Sequence, residues 1–144
     1  MSTEENKALT HRLYEAFNKS GTAAIDEYFA PDFVDHGLPP GVPPTLEGTK
    51  MFLGMFFAAF PDLHIEADDT AVAEGDKVVA HVWFGGTHKG EFQGMPPTDK
   101  QVKVEAFDML RIAGGKFVEH WGVFDALSMM QQLGAIPVPG PSGS

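Results

Sequence analysis

The hydrophobic pattern of this chain changes period at Pro61, and that change restricts the fold more than any other feature. Before Pro61 apolar residues recur every three to four positions: Leu9, Leu13, Ala16 and Phe17, then Ile25, Tyr28 and Phe29, then Phe52, Met55, Phe56 and Ala59. This is the spacing of helices that each bury one face. Ser2 and Glu5 make a capping box for the first helix, which Ser20-Gly21 ends. Thr22 caps a short second helix that stops before Pro31, and a third spans 46–60. Beyond Pro61 the pattern is that of strands, over 63–73, 77–85, 101–112 and 116–123, with Glu74-Gly75-Asp76 as a turn. Asp125 caps a last short helix over 126–133, closed by Gly134. Three helices followed by an antiparallel meander predict an α+β fold, with the helices on one face of the sheet.

The length of 144 residues suits one domain, expected over 1–136, with the Pro/Gly/Ser-rich residues 137–144 as a flexible tail. A net charge of −10 disfavours nucleic acid, whose phosphates call for clustered Lys and Arg. The absence of cysteine excludes disulfides, thiolate metal sites and cysteine nucleophiles. The N-terminus has neither the basic nor the apolar region of a signal peptide, and the longest apolar stretch, 51–60, is too short for a bilayer. A cytoplasmic protein without membrane partners is expected. No H-x-x-x-H or H-x-x-E-H spacing occurs, and no dinucleotide fingerprint, P-loop or G-x-S-x-G. Neither metal nor cofactor is expected.

The candidate chemistry lies in the last hairpin. If Ala113-Gly114-Gly115 is a three-residue loop, Ile112 pairs with Lys116 and Asp108 stands directly opposite His120. An Asp beside a His orients the imidazole and raises its pKa, the usual arrangement of an acid/base pair. A two-residue Gly114-Gly115 turn would put the two on opposite faces. His81 and Trp83 share one face of their strand and would suit a pocket for a flat, partly polar ligand. The alternative inner face is Val78, Ala80, Val82 and Phe84, and the sequence leaves both open. His36, next to Asp35 in a Pro/Gly-rich segment, could gate such a pocket. Phe17 and Met55 point from the first and third helices toward it. Large apolar groups on both faces of the hairpin, with Phe107, Met109, Phe117 and Trp121 on one of them, predict a homodimer through the convex sheet face.

Between the second and third strands runs Gly85-Gly86-Thr87-His88-Lys89-Gly90-Glu91-Phe92-Gln93-Gly94-Met95-Pro96-Pro97-Thr98-Asp99-Lys100. Loops of this length inside a compact domain are usually functional or disordered. Phe92, Met95 and the paired prolines point to an ordered loop, with Met95 near the ligand. His88 is expected to brace Glu91 or the backbone. The motif G-T-H-x-G-E-F-x-G-x-P-P-T resembles a signature of the SnoaL-like polyketide cyclase family, as do Ala58-Ala59-Phe60-Pro61-Asp62-Leu63 and Gly115-Lys116-Phe117-Val118-Glu119-His120-Trp121. The resemblance implies the cone-shaped nuclear-transport-factor-2-like fold, a strongly curved antiparallel sheet around an internal pocket. It implies an intramolecular aldol condensation of an aromatic polyketide methyl ester, without cofactor or metal. It also implies a general-base aspartate two residues beyond His120, where this sequence has Gly122. The position facing it, often histidine in the family, is Asp108. Two hypotheses follow: an acid/base enzyme on a carbonyl compound using Asp108 and His120, or a non-catalytic small-molecule binding protein that has lost the base.

Overall fold

The structure is a computed structural model that describes residues 2–137. The expected flexible tail over 137–144 lies almost wholly outside the described residues. In chain order the elements are α1 (Thr3–Ser20), α2 (Ala23–Tyr28), β1 (Phe29–Asp35), α3 (Leu46–Ala59), β2 (His64–Ala67), β3 (Val72–Glu74), β4 (Lys77–Thr87), β5 (Gln101–Ala113), β6 (Lys116–Phe124) and α4 (Ala126–Gln132). The sheet order is β1-β6-β5-β4-β2, and β3 also pairs with β4. Helices pack on a curved six-stranded sheet, an α+β arrangement with a pocket between the layers.

Local chemistry sets most boundaries. The Ser2 hydroxyl accepts from the Glu5 N–H while the Glu5 carboxylate accepts from the Ser2 N–H, the reciprocal cap of a helix start. A cap of this kind is worth about 1 kcal/mol. Asp125 caps α4 through the Ser128 N–H. Thr22, by contrast, has helical backbone angles and no capping bond, so α2 starts without one.

Three features depart from the sequence reading. The segment around Pro31, read as the end of a helix, is β1. It lies at the sheet edge, where a residue lacking an N–H is tolerated. It runs parallel to β6, so the sheet is mixed, not an antiparallel meander. The strand expected over 63–73 is two strands, β2 and β3, on successive stretches of β4. Between them the Asp68 carboxylate accepts from the Thr70 N–H at 2.9 Å, an Asx turn that interrupts the ladder.

The third departure is in the β5–β6 hairpin. Gly114 and Gly115 have φ of 58° and 74°, which makes a two-residue turn with Ala113 paired to Lys116. Ile112 pairs with Phe117, yet Arg111 pairs with Glu119, so Val118 is an extra residue in a β-bulge. Phe117 consequently points inward and is fully buried, not on the outer face. Past the bulge the parity returns: Leu110 pairs with His120 and Asp108 with Gly122.

Two apolar clusters fill the space between helices and sheet. One joins Leu9, Leu13 and Phe17 of α1 to Val78, Ala80 and Val82 of β4 and Leu110 of β5. The other joins Phe56 and Ala59 of α3 and Phe60 just after it to Phe92, Val102, Val104 and Met129. The long loop belongs to the second cluster. Lys89 and Gly90 donate their N–H groups to the Ala59 carbonyl, and a β-carbon on Gly90 would meet the Ala58 carbonyl oxygen at 2.4 Å. His88 is fully buried, with Nδ1 bonded to the Thr98 hydroxyl and accepting from the Thr98 N–H and its ring against Phe60, so of the two expected roles it braces the backbone and not Glu91.

Candidate functional site

Five separate elements, α1, α3, β1, β5 and β6, deliver one hydrogen-bonded chain into the pocket. His120 of β6 places Nε2 2.8 Å from Oδ1 of Asp108 on β5, and Nδ1 2.8 Å from Oδ1 of Asp35 at the end of β1. The Tyr14 hydroxyl of α1 donates to Oδ2 of Asp108 at 2.8 Å. The Thr49 hydroxyl of α3 donates to Oδ2 of Asp35 at 2.9 Å, and the Gly37 N–H donates to its Oδ1 at 2.9 Å. Asp108 and His120 are not direct register partners. They reach one another diagonally, because the bulge at Val118 returns both to the inner face.

The electrostatics follow from burial and pairing. Burial alone lowers the pKa of the His120 imidazole, but hydrogen bonds to Asp108 and Asp35, reinforced by their charges, push it up to about 10. At neutral pH it is therefore an imidazolium that donates from both nitrogens. Burial raises the pKa of Asp35, yet His120, Gly37 and Thr49 together hold it below its ordinary value. Tyr14 lies well above the usual tyrosine range, because of burial and then the Asp108 charge, and stays a donor.

Around this chain lies a cavity of about 170 Å³. Asp35, Asp108, His120, Tyr14 and Thr49 supply its polar side. The remaining wall is apolar, with Leu13, Phe17, Phe29, Phe52, Phe56 and Phe124 prominent in it. A carboxylate held between a cationic donor and a phenol at the edge of an apolar cavity is suited to take a proton from an activated carbon.

Of the residues singled out from sequence, Asp108, His120, Gly122 and Phe17 line the cavity. His81 and Trp83 do not. Val82 and Phe84 face inward, and His81 lies on the outer face between Asp68 and Glu105, stacked on Phe107. Trp83 is outside as well, under the Lys103 ammonium. The sheet places even-numbered β4 residues inward because Val78, Ala80 and Val82 bury more apolar surface there. His36 turns away from the cavity that its neighbour Gly37 lines, stacking on Trp121 at 4.8 Å and bonding Glu119. Met55 and Met95 pack into the second apolar cluster behind the pocket wall, and no residue of the loop over 88–100 lines the cavity.

Tyr14, Asp35 and Thr49 were not anticipated. Thr49 carried a signal: it precedes Phe52 and Phe56 by three and seven residues, a polar group on an apolar helical face. Gly122 takes on a new meaning. A β-carbon there would stand 2.6 Å from His120 Nε2 and 2.8 Å from Asp108 Oδ1. The missing side chain is the room in which the Asp108–His120 bond forms. Among the described residues no group of His, Asp or Glu is arranged to hold a metal ion, and no helix is long and apolar enough to cross a membrane.

A curved sheet that carries a hydrogen-bonded Asp–His pair into an apolar pocket defines a class of proteins, and known proteins of that class match this chain. The model of the SnoaL-like polyketide cyclase family matches residues 7–133, and the chain belongs to that family. It is 32% identical to nogalonic acid methyl ester cyclase of Streptomyces nogalater, over 85% of this chain and 92% of that one. It is 30% identical to an aklanonic acid methyl ester cyclase of Streptomyces peucetius, over 99% and 98% of the two chains. Among solved structures it superposes on AclR of Streptomyces galilaeus, a candidate hydroxylase, with a TM-score of 0.85 and 29% identity, over 97% of this chain and 87% of that one.

Proposed function

We propose that this chain is a cofactor-independent cyclase that closes a ring by intramolecular aldol chemistry, with Asp108 as general base and His120 as its acid partner. The reading is supported above all by the Tyr14–Asp108–His120–Asp35 chain at the edge of an apolar cavity. Asp108 takes a proton from a carbon flanked by carbonyls, and the C–H electron pair becomes the enolate. The enolate carbon attacks a second carbonyl carbon of the same molecule, so a C–C bond forms and the C=O π pair moves onto oxygen. That alkoxide takes the Nε2 proton of His120. The proton now on Asp108 returns to Nε2 across their 2.8 Å contact, which resets both groups. The net reaction is an isomerisation that needs no outside reagent.

The family's last-strand aspartate is absent, but its space holds the carboxylate of Asp108, so Gly122 gives little support to a purely binding role. Asp108→Asn preserves shape and removes the base. Turnover of a polyketide β-keto ester should fall roughly 10²–10⁴-fold with ligand affinity nearly intact. Unchanged turnover would remove Asp108 from the reaction.

The same reading includes a cytoplasmic homodimer joined through the outer sheet face. Phe107 is 47% and Val123 71% exposed there, beside Trp121 and Met109, and an isolated subunit would leave this apolar surface in water.

A further inference from the structure

Asp35 receives donors on both of its oxygens. The His120 imidazole and the Gly37 N–H meet Oδ1, and the Thr49 hydroxyl meets Oδ2. Among the described residues Thr49 is the sole donor to Oδ2. Asp35 is 4% and Thr49 3% exposed, so bulk water is poorly placed to replace a lost bond. Without the hydroxyl, the carboxylate is free to turn about its own axis, and the Oδ1 that holds His120 turns with it.

The backbone builds this contact. The Asp35 N–H donates to the Pro44 carbonyl at 3.1 Å and Val34 bridges to Thr45, which ties the end of β1 to the start of α3. Thr45 caps the helix through the Gly48 N–H, and a β-carbon on Gly48 would stand 1.8 Å from the Pro43 carbonyl oxygen. That close approach brings Thr49 against Asp35. The Thr49 hydroxyl has a single hydrogen and two acceptors in reach, Asp35 Oδ2 at 2.9 Å and the Thr45 carbonyl oxygen at 3.0 Å. The Thr45 carbonyl already accepts from the Thr49 N–H, and a carboxylate is the stronger acceptor, so the hydrogen goes to Asp35. Neighbouring charges are occupied elsewhere. His36 turns to Glu119, and on α3 Lys50 pairs with Asp26 at 2.6 Å and with Glu47 at 3.7 Å.

We propose that Thr49 is a positioning residue of the site: from a helix that lines the pocket it fixes the Asp35 carboxylate, and through Asp35 the orientation in which His120 meets Asp108. This rests on the cyclase reading only for its effect on turnover. Thr49→Val keeps the branched shape and removes the hydroxyl, Thr49→Ser keeps the hydroxyl, and Thr49→Ala is a second hydroxyl-free variant should valine strain the helix. NMR of histidine-labelled protein reads the resting site. The His120 Nδ1 proton should exchange with water roughly tenfold faster in Thr49→Val than in the parent, as the loss of one hydrogen bond to a charged group allows. Burial works to raise the Asp35 pKa, and His120, Gly37 and Thr49 together hold it low. Loss of the Thr49 bond should therefore move the acid-side fall of melting temperature to higher pH, and Thr49→Ser should bring it back. With a polyketide β-keto ester, Thr49→Val should lower kcat roughly tenfold at nearly constant KM, less than the roughly 10²-fold that a full ångström of misplacement costs. Hydroxyl-free variants with the parent's Nδ1 exchange and acid-side midpoint overturn the proposal. So does a Thr49→Ser variant altered as much as Thr49→Val, because the hydroxyl would then not be the cause. The exchange and melting measurements use no substrate, so the readings separate: faster Nδ1 exchange in Thr49→Val alongside normal turnover in Asp108→Asn would sink the catalytic reading and leave this one standing.

Discussion

Gly122 and Asp108 are register partners across β5 and β6, and the carboxylate of one occupies the space that a side chain on the other would need. A carboxylate that the family resemblance places on the last strand is thereby supplied from the neighbouring one. The exchange works only while position 122 has no β-carbon.

Gly122→Ala should therefore behave as an active-site lesion. The methyl would press on His120 Nε2, His120 Cε1 and Asp108 Oδ1 at 2.6–2.8 Å, and the pair would have to part. Displacements of this size cost roughly 10²-fold in rate, and the parted buried pair should lower the melting temperature as well. Gly122→Asp should lose activity too, because the new carboxylate meets the one already there. Steady-state kinetics on both variants decide this, and higher activity in Gly122→Asp than in the parent would contradict it.

The pH–rate profile should fall on the alkaline side with an apparent pKa near 10, as His120 loses the proton it donates. Asp35→Asn removes one of the two carboxylates that raise this pKa, so the limb should move toward neutrality. An unmoved limb would show that another group sets it.

Stability carries the same signature with a defined sign. His120 has a folded pKa above its unfolded value of about 6.5. Its contribution is therefore complete below that pH and is lost as pH rises through about 10. Asp35 is shifted the other way, so its contribution is present above its unfolded value and is lost as pH falls through the lower folded one. Melting temperature against pH should show a plateau through neutrality that drops on both sides. Asp35→Ala should flatten it and cost about 3–5 kcal/mol, because the buried His120, Thr49 and Gly37 donors lose their acceptor.

The outer face gives a prediction independent of the chemistry. Phe107→Glu places a charge among Trp121, Val123 and the Asp68 and Glu105 carboxylates that bond His81, which should dissociate the proposed homodimer while leaving the pocket intact. Sedimentation velocity of parent and variant reads this directly. A parent that sediments as a monomer of 15.6 kDa at micromolar concentration would refute the assembly.

Much of the architecture was legible in the sequence because local interactions set it. The capping box at Ser2 and Glu5, the helical spacing through Phe17 and Phe56, and the alternation in β4 and β5 each depend on residues a few positions apart. The α+β class and the Asp108–His120 candidate came from those patterns. The sequence could not choose a face for His81 and Trp83, because both faces of β4 carry large side chains. Only packing against α1 decided that Val78, Ala80 and Val82 lie inside. Nor could it place Val118 in a bulge, since bulging depends on the partner strand, and that one residue returns His120 to the inner face beside Asp108, while the two-residue turn has already set Phe117 inward opposite Ile112. Tyr14, Asp35 and Thr49 are 94, 85 and 14 residues from the groups they bond. The 94- and 85-residue separations close only when α1 and β1 dock on the hairpin. The residue types were fixed by the chain, but the hydrogen-bonded chain among them exists only in the packed structure, because it is made of contacts between elements with no local preference for one another.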